Sequence, residues 1–180
     1  MLTTEEDVKY CFKEYFLEEG VLKLIEFEIP GFKKFTIENI VLDYNGTLAF
    51  HGQLIEGMEE KLKFLSKKAN IHILTADTFG CVKEEIKNET LNIVVLDKKT
   101  KGSENKRNFI KSLDAERTAA VGNGSNDAAM LKTAAIGIAV MGKEGVSKKC
   151  LTNSDLLVGD IHNALDLLIN VKSLIATLRK

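Results

Sequence analysis

Short apolar runs alternate with helical stripes along most of this chain. Read from residue 39, the pattern predicts a strand over 39–43, a helix near 55–68, a strand over 70–75 and a helix near 79–88. It continues with a strand over 91–96, a helix near 103–113, a strand over 118–122 and a helix near 125–133. A strand over 135–140, a short helix near 145–152 and a last short strand near 155–158 complete the series. The run Ile40-Val41-Leu42 does not alternate with polar residues, so this strand reads as apolar on both faces and belongs between layers of helices. Strand and helix in regular succession predict an α/β fold, a Rossmann-like and mostly parallel sheet with helices on both faces.

Two segments flank that series. Ahead of it, Thr3 and Thr4 stand at capping-box spacing from Glu6 and Asp7, and Val8, Cys11, Phe12, Tyr15 and Phe16 recur on one face. This predicts an amphipathic helix ending near Gly20. Residues 22–29 alternate as a strand, Pro30-Gly31 turns, and Phe35-Thr36-Ile37 returns as its hairpin partner. Behind the series, Ile161, Ala164, Leu165 and Leu168, then Val171, Leu174, Ile175 and Leu178, predict a helical tail. A chain of 180 residues fits one domain able to bury roughly 70% of its unfolded surface. Its parts would be an N-terminal helix and hairpin (1–37), a core (38–160) and C-terminal helices (161–180), with no cap domain.

Composition narrows the partners. The net charge is −1 and the basic residues are scattered, which argues against nucleic acid. Glu5, Glu6 and Asp7 lie where a cleavable signal would be basic, and no apolar run approaches the ~18 residues of a spanning helix. The expectation is a cytoplasmic protein without membrane insertion. Cys11, Cys81 and Cys150 are odd in number and lack metal-ligand spacing, as do His51, His72 and His162.

The candidate chemistry sits where strands end. Ile40-Val41-Leu42 stops on Asp43 and turns through Asn45-Gly46, and ligands of open α/β sheets bind beyond such carboxyl ends. Asn45-Gly46 is also a hairpin signal, under which Asp43 is ordinary turn chemistry. Thr75-Ala76-Asp77 follows another apolar run, and Gly122-Asn123-Gly124-Ser125-Asn126-Asp127 follows a third. Lys106 lies between them, with Lys101 as its rival. A carboxylate nucleophile, a hydroxyl, an ammonium and a second carboxylate at one rim are the parts phosphoryl transfer needs. A dinucleotide fingerprint on Gly122 and Gly124 fails, because its third glycine would fall at Asp127, whose charge repels pyrophosphate.

Taken together, Asp43-Tyr44-Asn45-Gly46-Thr47, Thr75-Ala76-Asp77, Lys106 and Gly122–Asp127 resemble the four motifs of the haloacid dehalogenase (HAD) superfamily. The run Ser125-Asn126-Asp127-Ala128-Ala129-Met130-Leu131 is similar to the phosphorylation domains of P-type ATPases. With neither a nucleotide-binding domain nor membrane helices, the chain resembles soluble P-type-ATPase-like members, over roughly residues 39–160. The resemblance implies a Mg²⁺-dependent phosphohydrolase acting through an aspartyl phosphate on Asp43, with Asn45, Thr75 and Lys106 in the catalytic set. It places Thr75, Ala76, Lys106 and Asn126 on the phosphoryl oxygens, and Asp43, the backbone carbonyl of Asn45, Asn123 and Asp127 around Mg²⁺. The substrate would be a phosphorylated small molecule or a phosphoprotein reaching an open site, and the terminal helices would offer a homo-oligomer contact.

Two departures qualify that pattern. Asn45 stands where phosphatases of this superfamily carry a second Asp; an amide exchanges no proton at neutral pH, so turnover is slow or draws on another proton source. Asn123 stands where the pumps carry an Asp, which lowers metal affinity in the absence of substrate. A non-catalytic phosphate-binding or regulatory module of the same fold is the alternative reading.

Overall fold

The computed structural model describes residues 15–17, 20–76, 82–86, 89–96 and 102–179, with backbone alone for 15–17, 20–22 and 83–84. The elements are β1 (Tyr15–Leu17), β2 (Gly20–Leu22), β3 (Ile25–Ile29), β4 (Lys33–Ile37), β5 (Asn39–Asp43), β6 (Ala49–Phe50), β7 (Gln53–Leu54), α1 (Met58–Leu65), β8 (Asn70–Thr75), α2 (Val82–Glu85), β9 (Asn92–Val95) and α3 (Gly102–Ser112). After a 3-10 turn at Ala115–Arg117 come β10 (Thr118–Gly122), α4 (Ala128–Thr133), β11 (Ile136–Val140), α5 (Lys148–Leu151), β12 (Leu156–Val158), α6 (Ile161–Ile169) and α7 (Val171–Leu178).

A six-stranded sheet in the order β12-β11-β10-β5-β8-β9 forms the centre, and every pairing in it is parallel. Counted from β5, this is the doubly wound order 3-2-1-4-5-6, whose direction of winding reverses between β5 and β10. All residues of β5, β10 and β11 are buried, which explains their unbroken apolar runs. The two-residue period of a strand divides β5 between two cores. Ile40 and Leu42 join the cluster that includes Leu62 of α1, Leu165 of α6 and Leu174 of α7, and Val41 joins the one with Ile110 of α3 and Leu131 of α4. Helix α4 comes very close to the sheet: a Cβ on Gly137 would stand 2.5 Å from the Leu131 carbonyl oxygen. Glycine there is a packing requirement.

The helical tail is broken at Asn170, whose φ of −119° and ψ of 86° close α6 while its side chain accepts the Lys172 N–H to open α7. The hairpin expected around Pro30-Gly31 forms, with Phe27 stacked on Phe35 at 5.0 Å. The N-terminal helix does not extend as expected. Tyr15–Leu17 pairs antiparallel with Gly20–Leu22, and residues 1–14 lie outside the described residues. Aromatic residues at 15 and 16 suit a pleated surface as well as a helical face, and the nearby return strand decides between them. A second feature has no counterpart in the periodicity: the β6–β7 hairpin at Ala49–Leu54, inserted between Asp43 and α1.

Candidate active site

Parallel pairing brings the carboxyl ends of β5, β8 and β10 to one edge, with Asp43 opposite Leu74 and Val121 opposite Leu42. Beyond that edge, at the point where the winding reverses, three charged side chains meet in the interior. Lys106 of α3 donates to Asp43 Oδ1 at 2.5 Å and to Asp127 Oδ1 at 2.6 Å, although its residue is only 2% exposed. The second oxygen of each carboxylate is occupied too. Thr47 Oγ1 donates to Asp43 Oδ2 at 3.0 Å, and Asp127 Oδ2 accepts the backbone N–H groups of Asn123 and Gly124 at 3.0 and 2.8 Å. Thr47 Oγ1 also lies 3.3 Å from Asn123 Oδ1, and Asn123 Nδ2 donates to the Gly145 carbonyl, so this amide ties the β5 loop to the loop after β11.

Local sequence makes room for this. A Cβ on Gly122 would stand 2.6 Å from the Asp127 carboxyl carbon, so β10 must end on glycine for the carboxylate to fold back over it. Gly46, at φ +80°, meets the same limit from Asn123 Nδ2 and Glu144 Oε2, each 2.7 Å from where its Cβ would be. Thr75 is buried at the end of β8, whereas Ala76 and Asn126 are exposed at the rim. Asp77, Cys81, Lys98, Lys99 and Lys101 lie outside the described residues. The geometry therefore joins Asp43, Lys106, Asn123 and Asp127 in one network, with Thr75 on the adjacent strand.

Two carboxylates against one ammonium leave a surplus negative charge in a buried site. Burial, and then the Asp127 carboxylate, push Asp43 up to about 7 against the opposing pull of Lys106 and Thr47. Burial would lower Lys106, but Asp43 and Asp127 overturn that and hold it above its ordinary range. Cys150, beneath the site with Sγ 3.5 Å from the Gly122 carbonyl, is pushed up to about 12 by burial and then by both carboxylates, which keeps it a protonated thiol.

The donor set fits a hard divalent cation. Asp43 and Asp127 offer carboxylate oxygens, and Asn45 Oδ1 is buried without a hydrogen-bond donor, an orphan that a metal-bound water or a substrate hydroxyl would satisfy. Among the described residues no group of three or more His, Cys, Asp or Glu side chains could hold a metal ion by itself, so a cation here would draw on the two carboxylates together with amide, carbonyl or water oxygens.

No family model matches the chain. Two uncharacterized proteins of Methanocaldococcus jannaschii are similar to it, one 52% identical over 60 residues, the other 51% identical over 39. The first match covers 33% of this chain and 64% of that relative, the second 22% and 89%. Among solved structures, the cobalt-bound deoxy-D-mannose-octulosonate 8-phosphate phosphatase of Haemophilus influenzae superposes with a TM-score of 0.62 at 14% identity, covering 76% of this chain and 90% of that one. A HAD superfamily (subfamily III A) hydrolase from Legionella pneumophila gives 0.57 at 16%, covering 76% and 84%. The fold is that of the haloacid dehalogenase superfamily. A third HAD-fold structure, the Moraxella catarrhalis 3-deoxy-D-manno-octulosonate 8-phosphate phosphatase in complex with magnesium ion, phosphate ion and KDO, gives 0.54 at 18%, covering 79% and 94%. At these identities the likeness is one of fold. Within the described residues no helix is long and apolar enough to cross a membrane.

Two side chains of this HAD-fold site carried no assigned place in the sequence pattern. Thr47, within the first motif, is buried and bonds the candidate nucleophile. Its position four residues after Asp43, across a glycine turn, was the available signal. Glu144 had none, because its approach depends on Gly46 and Gly142 letting two loops touch: a Cβ on Gly142 would be 3.3 Å from the Gly46 carbonyl oxygen.

Proposed function

We propose that this protein is a divalent-metal-dependent phosphomonoester hydrolase that works through phosphorylation of Asp43. The observation that carries the reading is the buried Asp43–Lys106–Asp127 contact at the reversal point of a HAD-fold sheet. Asp43 is the nucleophile: its oxygen bonds to phosphorus as the ester P–O bond breaks, the departing alkoxide takes a proton from solvent, and a water later attacks phosphorus and gives up a proton as phosphate leaves and the carboxylate is restored. Thr47 holds one carboxylate oxygen and so sets the direction of the other. Lys106 balances charge on the phosphoryl oxygens, with Thr75, the exposed Ala76 backbone and Asn126 as further donors. Asp43, Asp127, the backbone carbonyl of Asn45 and Asn123 would hold Mg²⁺, which supplies Lewis-acid neutralisation of phosphoryl charge when bound. The magnesium and phosphate named with the Moraxella catarrhalis protein, and the cobalt named with that of Haemophilus influenzae, support this choice of ligand class.

Hydrolysis of p-nitrophenyl phosphate tests the reading. Product is expected with Mg²⁺ and not with EDTA. Because Asp43 must be ionised to attack, the rate at limiting Mg²⁺ rises as pH climbs through about 7. Saturating Mg²⁺, an opposite charge beside the carboxylate, moves that limb to lower pH. Metal-independent turnover, or a limb that metal does not move, would refute the assignment.

Asn45 and Asn123 favour a second reading, a phosphate-binding module without turnover. Asn45→Asp addresses it directly. The two side chains are nearly isosteric, so the substitution adds a group that donates and accepts a proton where the leaving alcohol needs one. General acid-base help of ~10²-fold, roughly 2.7 kcal/mol of barrier, is the expected gain at saturating Mg²⁺. Rapid-quench measurement of phosphate release decides: an equal or slower rate means that proton transfer never limited this site.

A further inference from the structure

The loop after β11 brings a third carboxylate to the nucleophile loop, and none of the roles above uses it. Met141 and Gly142 anchor the start of that loop by donating their N–H groups to the Val158 and Gly159 carbonyls at 3.0 and 3.1 Å. Ser147 anchors its end, donating to the Asn123 carbonyl at 2.9 Å. Between the anchors the chain turns at Gly142–Gly145, where the Gly145 N–H donates to the Gly142 carbonyl at 3.4 Å and both glycines have positive φ, 54° and 80°. The two side chains of the turn diverge. Lys143 Nζ stands 5.2 Å from the centroid of the Phe50 ring, while Glu144 folds over Gly46.

Gly46 is where Glu144 and Asn123 meet. Glu144 Oε2 and Asn123 Nδ2 each lie 2.7 Å from the point a Gly46 Cβ would occupy, so the two atoms are no more than twice that distance apart. Asn123 in turn reaches both carboxylates of the site. Its Oδ1 lies 3.3 Å from Thr47 Oγ1, which donates to Asp43, and its backbone N–H donates to Asp127 Oδ2. Glu144 is exposed, and among the described residues no basic side chain forms an ion pair with it. Its charge therefore stands one amide away from Asp43 and Asp127, placed to act on what they bind.

Charge balance gives that placement a purpose. Lys106 offsets one of the two buried carboxylates, which leaves a single negative charge to face a dication. Glu144 makes it two. A neutral residue at 123 suits this arrangement: a carboxylate there would oppose Glu144 across Gly46, whereas the amide presents its Nδ2. No three acidic side chains among the described residues could hold an ion by themselves, and Mg²⁺ keeps several of its waters, so the added charge works through water.

We propose that Glu144 is an outer carboxylate of the cation site: it accepts from a water of the bound ion and supplies the charge that Asn123 lacks. The proposal rests on the divalent-metal reading above and adds to it a residue from the loop after β11.

Titration calorimetry of Mg²⁺ into the whole, phosphate-free protein at pH 8 and low ionic strength tests it. A carboxylate one water away from a dication is worth about 10-fold in affinity even at the dielectric of bulk water. Glu144→Gln is therefore expected to weaken Mg²⁺ binding about 10-fold and Glu144→Lys about 100-fold, with both gaps narrowing as KCl is raised to about 0.3 M. Both variants are expected to melt with the wild type in EDTA, because the residue is exposed. Equal Mg²⁺ affinity in all three proteins overturns the proposal. So does a loss that is the same for Gln and Lys, a loss indifferent to salt, or a melt well below that of the wild type in EDTA, each of which makes the role structural. In all these cases the phosphohydrolase reading stands if p-nitrophenyl phosphate is still hydrolysed with Mg²⁺ and not with EDTA. A graded, salt-sensitive loss of affinity without hydrolysis by the wild type supports Glu144 while the phosphohydrolase reading falls. A wild type that binds no Mg²⁺ overturns both.

Discussion

Asp43→Asn will abolish Mg²⁺-dependent phosphate release, by about 10⁴-fold or more, while the protein folds at least as firmly as the wild type at pH 8 without metal. The loss of rate follows from chemistry, since an amide oxygen of the same shape is no nucleophile toward phosphorus. The expectation for stability follows from charge. Asp43 and Asp127 share one ammonium, and burial with Asp127 pushes Asp43 up to about 7 from 3.8. A carboxyl whose folded pKa exceeds its unfolded value keeps a proton that the unfolded chain has lost. Stability therefore falls as pH rises from about 4 to about 7, and above that window the native state holds the unfavourable charge. The amide of the variant carries no charge, so it escapes the penalty and leaves Lys106 paired with Asp127 alone. Denaturant midpoints at pH 5 and 8 beside single-turnover assays check both halves. Residual activity within 10-fold of wild type would place the nucleophile elsewhere, and a collapsed fold at pH 8 would mean that the Asp43 charge is structural.

How far the sequence reveals such a site depends on what fixes each residue. The positions of Asp43 and Thr75 were legible as the last residues of apolar strands, and that of Asp127 as the carboxylate in the turn after β10, because a parallel sheet brings all such ends to one edge. Lys106 was legible by its place on a helix with Phe109 and Ile110, though its near-complete burial was not. The β6–β7 hairpin escaped because two-residue strands are too short to show a period, and its turn rests on His51 at positive φ, where glycine or asparagine is the usual marker. The strand at Tyr15–Leu17 escaped for the opposite reason: its pattern fitted a helix well, and pairing with a neighbour overrode the local preference. The placement of that hairpin was illegible because it depends on Tyr44 reaching the Gly52 carbonyl eight residues away, across a turn that no pattern announced.

The same charge balance predicts the largest effect on stability. Lys106→Met will destabilise the metal-free protein by about 3–5 kcal/mol at pH 8, because removing one partner of a buried ionic set strands the others. Lys106 is 2% exposed, and its ammonium is the cation between Asp43 and Asp127. Methionine fills much the same volume, so the change is one of charge more than of packing. Two treatments should restore stability, for one reason. Lowering the pH through the raised pKa of Asp43 neutralises one carboxylate, so the deficit shrinks toward pH 5. Adding Mg²⁺ supplies the missing positive charge between oxygens that fit it, so the metal-induced rise in Tm should exceed that of the wild type by about 6–20 °C. Differential scanning fluorimetry across pH 5–8 with Mg²⁺ or EDTA measures each arm. A variant that melts with the wild type at pH 8 in EDTA would mean that the two carboxylates need no counter-charge, and one that Mg²⁺ fails to rescue would remove Asp43 and Asp127 as its ligands.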